Sequence, residues 1–206
     1  MYLYGASGHA KVIIDILHAE GTQVDGLIDD NPVVEMLHGY PVFHGRSDLF
    51  PVIISIGDNR VRRMISQRLR GMFGKAIYPS AIVSPSATIG EGTVIMQGAI
   101  IQADTQIGKH CIINTGASVD HESVIDNYVH ISPHSTLCGN VKVGEGTWIG
   151  AGTTIIPGVA IGQWCVIGAG SVVTKDIPDG MLAVGNRCET IKSLNTDMLI
   201  NINGGG

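Results

Sequence analysis

Eight histidines are spread along a chain of 206 residues, and one of them, His121, stands directly between Asp120 and Glu122. An imidazole takes or gives a proton near neutral pH. His121 is therefore the candidate general base, and Glu122 the group that orients its ring. Such a pair serves the attack of an amine or hydroxyl on an activated carbonyl, with donors needed for the developing oxyanion. A second cluster, Tyr4-Gly5-Ala6-Ser7-Gly8-His9, reads as a glycine turn opening a helix, where backbone N–H groups can meet a phosphate. Asp29-Asp30 follows about twenty residues on, placed to accept from a hydroxyl or a base N–H. Ile56-Gly57-Asp58-Asn59 forms a third cluster.

The element that positions His121 is a repeat. From Ile77 to Val173 a branched aliphatic residue occupies every sixth position, seventeen in succession, with His121 inside the run. Four residues after each anchor comes a small or compact side chain, as at Ala81, Thr93, Cys111, Ser123 and Ser171. A period of six fits neither a helix nor a hairpin ladder. It fits a coil of three short strands with Gly, Asn or Asp at the corners. Residues eighteen apart then stack at neighbouring-strand spacing of about 4.8 Å, which predicts a ladder of Ile89, Ile107, Ile125, Val143 and Ile161.

The element that positions the N-terminal clusters is a small parallel sheet. Tyr2-Leu3-Tyr4 reads as a strand, followed by a helix whose face carries Ala10, Ile13, Ile14 and Leu17. Residues 24–28 and 52–56 read as further strands, and Asn59 is expected to cap a helix over 60–70. The three clusters then fall at the carboxyl ends of the strands, where such sheets bind ligands. The full G-x-G-x-x-G fingerprint is absent, and the segment is too short for a nicotinamide dehydrogenase.

These motifs, in this order, resemble the NeuD/PglD family of sugar acyltransferases over nearly the whole chain, and the six-residue beat resembles the hexapeptide-repeat proteins. The resemblance implies an α/β Rossmann-like nucleotide-sugar-binding domain over 1–76, an all-β left-handed parallel β-helix over 77–195 that assembles as a homotrimer, and a tail over 196–206. It implies an acetyl-CoA-dependent N-acetyltransferase acting on a nucleotide-linked 4-amino sugar in glycan biosynthesis. By motif match His121 is the catalytic base with Glu122 beside it. Ser7, Gly8, His9, Asp29, Asp30 and Gly57 hold the nucleotide-sugar. His130 sits at the thioester, and Ala151 and Ala169 lie along the acetyl-CoA path; Asn114 and His134 fall within the same turns as His130. No metal site is expected. Where the family carries V-G-x-P-A-K after the last coil, this chain reads Val184-Gly185-Asn186-Arg187-Cys188-Glu189, leaving Arg187 or Lys192 for the coenzyme phosphates. The acceptor is open among a UDP-linked 4-amino sugar, which is favoured, GDP-perosamine, and a sialic-acid hydroxyl.

Composition narrows the remaining classes. A net charge of -5 gives no reason to expect nucleic acid or an anionic membrane as partner. No apolar run approaches the roughly 20 residues of a membrane span, and the N-terminus lacks the pattern of a signal peptide, so a cytoplasmic location is expected. Cys111, Cys138, Cys165 and Cys188 form no C-x-x-C pair and are expected as free, mostly buried thiols, Cys111 and Cys165 as core fillers. A β-helix carbonic anhydrase is a further reading, but the coil neighbours of His110 and His121 are Gly92, Tyr128, Ala103 and Gly139, which form no histidine ladder. A catalytically silent scaffold is the other.

Overall fold

The computed structural model describes residues 1–194, so the tail expected over 196–206 lies outside the described residues. The first domain runs β1 (Tyr2–Tyr4), α1 (Gly8–Ala19), β2 (Gly26–Ile28), β3 (Met36–Leu37), β4 (Tyr40–Phe43), β5 (Val52–Ile54) and α2 (Asn59–Arg68). Its sheet has the order β3-β4-β2-β1-β5. The β4, β2, β1 and β5 strands run parallel, and β3 joins as an antiparallel edge. Ala10, Ile13, Ile14, Ile16 and Leu17 of α1 are buried, which is the helical face read from the sequence. The cap of α2 differs from expectation by one residue. Asp58, not Asn59, is the N-cap, its carboxylate accepting from the N–H groups of Arg60 and Val61 at 2.9 Å. A charged acceptor suits the positive end of the helix, and it frees Asn59 for a contact across the domain boundary.

The repeat forms the β-helix that the period of six predicts. Two-residue strands recur from Ala76–Ile77 to Val172–Val173 and pair in parallel across three faces. The first face carries Ala76–Ile77, Val94–Ile95, Ile112–Ile113, His130–Ile131, Trp148–Ile149 and Val166–Ile167. The second runs from Ile82–Val83 to Val172–Val173, and the third from Thr88–Ile89 to Ala160–Ile161. The ladder Ile89, Ile107, Ile125, Val143, Ile161 is present on the third face. From Ile95 onward the anchors are buried, and they pack into one core with Cys111 and Cys165. The compact positions between them carry hydroxyls for a reason. Thr147 Oγ1 donates to the Gly162 carbonyl at 2.7 Å and accepts from Cys165 N at 2.9 Å, so the buried hydroxyl stitches one coil to the next. Thr93, Thr105, Ser123, Ser135 and Thr153 repeat the donor half of that arrangement.

The first domain packs on the first face. Outward-facing Val94 and Ile112, with Ala76 and Met96, belong to the same apolar cluster as Leu3, Ile13, Ile14 and Leu17. The two domains therefore share a core rather than being joined by a linker. After the last coil, strands Met181–Val184 and Glu189–Ser193 form an antiparallel hairpin that extends the first face. Cys188 is buried within it while Arg187 is exposed.

Candidate functional site

Each edge of the prism joins two faces, and the candidate residues distribute over different edges. Asp120, His121 and Glu122 sit at the corner between the second and third faces, after Ser118–Val119 and before Val124–Ile125. That is the edge the first face does not touch. His121 Nδ1 lies 3.2 Å from Glu122 Oε2, and Asp120 Oδ1 accepts from the His121 N–H at 2.8 Å. Glu122 occupies the left-handed corner position, with φ of 58°. One coil further on lies Gly139, where an added Cβ would come within 2.6 Å of Cε1 and Nε2 of the His121 ring. The ring thus lies in a space that a side chain would fill. Both His121 and Glu122 are exposed in the single chain.

A second group gathers where the first domain meets the first face. His130 stacks on Trp148, with ring centroids 6.0 Å apart and planes 11° apart, and its Nε2 is 3.2 Å from Asn114 Nδ2. His9, in the first turn of α1, and the backbone of Gly57 lie close enough to act on it electrostatically. Burial, then the nearby Arg62 guanidinium, pushes the His130 pKa down to about 3. The same two causes in the same order hold His9 near 4, and lead the shift of His110 to about 4. All three imidazoles are neutral at physiological pH, which suits hydrogen bonding rather than charge. Each of His9 Nε2, His110 Nδ1 and Arg60 Nη2 is buried without a partner among the described residues.

Arg62 organises this junction. It is 1% exposed, and its five N–H donors reach the carbonyls of His110 (2.7 Å), Ile56 (2.9 Å), Gly57 (3.1 Å) and Tyr128 (3.0 Å) and Oδ1 of Asn59 (2.7 Å). Asn59 Nδ2 in turn donates to the Gly146 and Thr147 carbonyls. Neither Arg62 nor Trp148 was singled out in the sequence. The signal for the first is an arginine on the inward side of a short amphipathic helix. For the second it is the single indole among the outward positions of the repeat.

A third group lines a cavity of about 200 Å³ at the carboxyl ends of the strands, bounded by Tyr4, Gly5, Asp29, Asp30, Ile56, Met64 and Arg68. Gly5 has φ of 114°, and a Cβ there would meet Ile56 Cγ1 at 2.9 Å and the Ser55 carbonyl at 3.1 Å. Only glycine fits that turn. Asp29 holds the turn in place: Oδ2 accepts from the Ala6 N–H at 2.6 Å and Oδ1 from the Asn31 N–H at 2.8 Å. Asp30 accepts from the Tyr4 hydroxyl at 2.8 Å and pairs with Arg68 at 3.2 Å. The two aspartates therefore differ: Asp29 braces the turn, and Asp30 faces the cavity with a cation beside it. Ser7 is the N-cap of α1 but makes no side-chain cap bond, and Ser7 and Gly8 are exposed.

Ala151 and Ala169 stack one coil apart on the edge between the first and second faces, both exposed. His134 lies on that same edge with its ring over Gly116. The structure thus brings His9, Gly57 and His130 together, sets Ala151 and Ala169 along one border of the second face, and leaves His121 and Glu122 on its other border, the edge opposite the first face.

Comparisons with known proteins agree with both halves. The PglD N-terminal domain model matches residues 1–69, and the bacterial transferase hexapeptide (six repeats) model matches residues 86–121 and 140–175. Perosamine N-acetyltransferase from Caulobacter crescentus, solved in complex with CoA and GDP-perosamine, is 39% identical in its H→N variant, covers 93% of this chain and 96% of that chain, and superposes with a TM-score of 0.89. The acetyltransferase domain of PglB from Neisseria gonorrhoeae, solved with acetyl coenzyme A, is 35% identical over 92% of this chain and 98% of that chain, with a TM-score of 0.85. UDP-N-acetylbacillosamine N-acetyltransferase of Bacillus subtilis is 42% identical over 115 residues, 46% of this chain and 50% of that protein. An uncharacterized protein of Acanthamoeba polyphaga mimivirus is 34% identical over 101 residues, 21% of its length. The match thus spans about half the length of one curated relative and a fifth of another.

Proposed function

We propose, from the premise that this chain belongs to the hexapeptide-repeat sugar acetyltransferases with a PglD-type first domain, that it transfers the acetyl group of acetyl-CoA to the amine of a nucleotide-linked 4-amino sugar. The observation that carries this reading is the separation of the parts. The base pair His121 and Glu122 stands on the edge opposite the face that carries the chain's own first domain, His130 and Gly57. One copy cannot bring them together, so the site is completed between copies, as in the homotrimer expected from the sequence.

In this reading the nucleotide occupies the cavity beside Asp30 and Arg68, its phosphates meet the N-terminus of α1 at Ser7, Gly8 and His9, and the sugar extends past Ile56 toward Gly57 and His130. The coenzyme runs along the edge of Ala151 and Ala169, and its thioester lies at His130. Acetyl-CoA supplies the acyl group. The sugar amine attacks the thioester carbonyl, the C–N bond forms and the C–S bond breaks. His121 from the neighbouring copy takes the amine proton on Nε2, since Nδ1 faces Glu122, and returns it to the departing thiolate. Asn114 Nδ2 donates to the unprotonated Nε2 of neutral His130 and keeps a second N–H to offer where the carbonyl oxygen gains charge.

For the nucleotide, the 42% identity to a UDP-N-acetylbacillosamine N-acetyltransferase supports the UDP preferred from the sequence, and the likeness over nearly the whole chain to an enzyme solved with GDP-perosamine supports the GDP alternative. A cytoplasmic location belongs to the same reading, because four unpaired cysteines suit a reducing compartment. Among the described residues no helix is long and apolar enough to cross a membrane. A thermal-shift panel of GDP, UDP, CMP and CoA, followed by mass spectrometry of the product formed from acetyl-CoA and GDP-perosamine, tests it. Stabilisation by CoA and one nucleotide, with a product heavier by one acetyl group, is expected; no acetylated product from any nucleotide 4-amino sugar overturns it.

A further inference from the structure

We propose that the cavity between the start of α2 and the first face of the β-helix is an acyl-chain pocket, through which this enzyme accepts donors longer than acetyl, butyryl-CoA being the test case. The proposal rests on the reading above, which sets the thioester at His130. The cavity holds about 320 Å³ and is lined by His130, Trp148, Trp164 and Val166 together with Gly57 to Arg60 and Gly146. That is the lower end of the range for small-molecule pockets, about 300–1,000 Å³, and far more than one methyl group occupies.

Apart from His130 at the thioester and one buried Arg60 nitrogen, its polar wall groups are engaged, so what it offers a ligand is aromatic and aliphatic. Asn59 spends its amide on Gly146 and Thr147, and Trp148 Nε1 donates to Ser132 Oγ at 2.8 Å. Arg60 lies over the Trp164 ring at 4.9 Å and Arg63 over the same ring at 5.5 Å. The unpartnered Nη2 of Arg60 has no accessible surface and offers nothing to an entering chain. Gly146 matters to the shape: a Cβ there would collide with the Trp164 ring, so the missing side chain lets the indole lie flat against the wall. An acyl carbonyl held at His130 has this apolar space beside it, and a longer chain entering it displaces water from aromatic surface. Each buried methylene is worth up to about fourfold in binding.

The step balances as for acetyl. The amine nitrogen bonds to the butyryl carbonyl carbon, the C–S bond breaks, and the amine proton passes through His121 of the neighbouring copy to the CoA thiolate.

The experiment compares kcat/KM for acetyl-CoA and butyryl-CoA with the same nucleotide 4-amino sugar, in the wild type, Val166→Phe and the milder Val166→Leu. Val166 faces outward on the first face and is half-buried, so both variants are expected to fold. The expected result is a butyryl-to-acetyl ratio of at least a tenth in the wild type. Val166→Phe, or Val166→Leu should Val166→Phe not fold, should lower that ratio at least tenfold while acetyl transfer stays within threefold. A wild-type ratio below one hundredth, an unchanged ratio in the variants, or an equal loss with both donors overturns the pocket's assignment. Equal loss with a raised KM for the sugar would give the cavity to the acceptor instead. Failure of acetyl transfer itself in the wild type would strike the parent reading, and is read separately.

Discussion

Arg62 Nε donates to the carbonyl oxygen of His110 at 2.7 Å, a bond from α2 of the first domain into a corner of the β-helix. Its remaining N–H donors divide among the loop after β5, Asn59 at the start of α2 and the neighbouring corner at Tyr128. The guanidinium therefore ties the loop carrying Gly57 to the coil that leads into His130. Although burial lowers its pKa to about 10, it stays charged at neutral pH.

Arg62→Met keeps the apolar stem and strands several buried carbonyls. Each buried acceptor left unpaired is worth about 1–3 kcal/mol, so a loss on the order of 3 kcal/mol or more is expected in urea unfolding. Arg62→Lys, which replaces a planar fork with a point donor, is expected to recover only part of it.

Stability should also fall with acid in a specific window. His9 and His110 near 4, and His130 near 3, all lie below the ordinary 6.5. The folded state prefers these imidazoles neutral, so their contribution is fully present above about pH 6.5 and is lost as pH falls toward 4, because the unfolded chain binds protons first. The slope approaches about 1.4 kcal/mol per pH unit for each histidine. Unfolding midpoints between pH 7.5 and 5 check this. His110→Phe, which keeps the stack on Tyr128 at 5.4 Å, should flatten the slope by one histidine's share.

The β-helix was legible because its anchors obey a strict period, and residues such as Ile107 and Ile125 can satisfy that period only by stacking. The short β3 and β4 strands were not, since Pro41 and Gly39 interrupt any alternation there. The proposed base His121 stood out by type and neighbours, whereas Arg62 acts through carbonyls contributed by residues far along the chain. No local pattern announces those carbonyls. Asn59 illustrates the limit well: its residue type fits a cap, but Asp58 one position earlier takes that role, and Asn59 bonds instead to a coil almost ninety positions away.

Glu122 separates orientation from folding. It sits at φ of 58°, a conformation that disfavours side chains by about 1–2 kcal/mol. Glu122→Gly removes that strain while freeing the unfolded chain, so stability should change by less than about 1 kcal/mol. If the carboxylate orients His121 Nδ1, turnover should still fall about tenfold or more, with the KM for acetyl-CoA little changed. Unaltered turnover would leave Glu122 as a corner residue only.

Gly139 gives the sharpest test of the base. Its φ is not in the left-handed region, so alanine is acceptable to the backbone, yet the added Cβ would lie 2.6 Å from Cε1 and Nε2 of His121. The backbone at this corner is held by the Asn140 N–H donating to the His121 carbonyl at 2.8 Å and has little room to retreat. The exposed imidazole must therefore swing away, carrying Nε2 from the place where the proposed reaction sets the amine. Misplacement of about 1 Å is worth about a hundredfold in rate. Gly139→Ala should consequently keep a melting temperature close to that of the wild type and bind CoA normally, while turnover drops toward that of His121→Ala, itself expected at about a hundredfold or more below wild type. Calorimetry with CoA and a steady-state assay on the same preparation decide it: full activity in Gly139→Ala would mean the ring does not work from the position over Gly139.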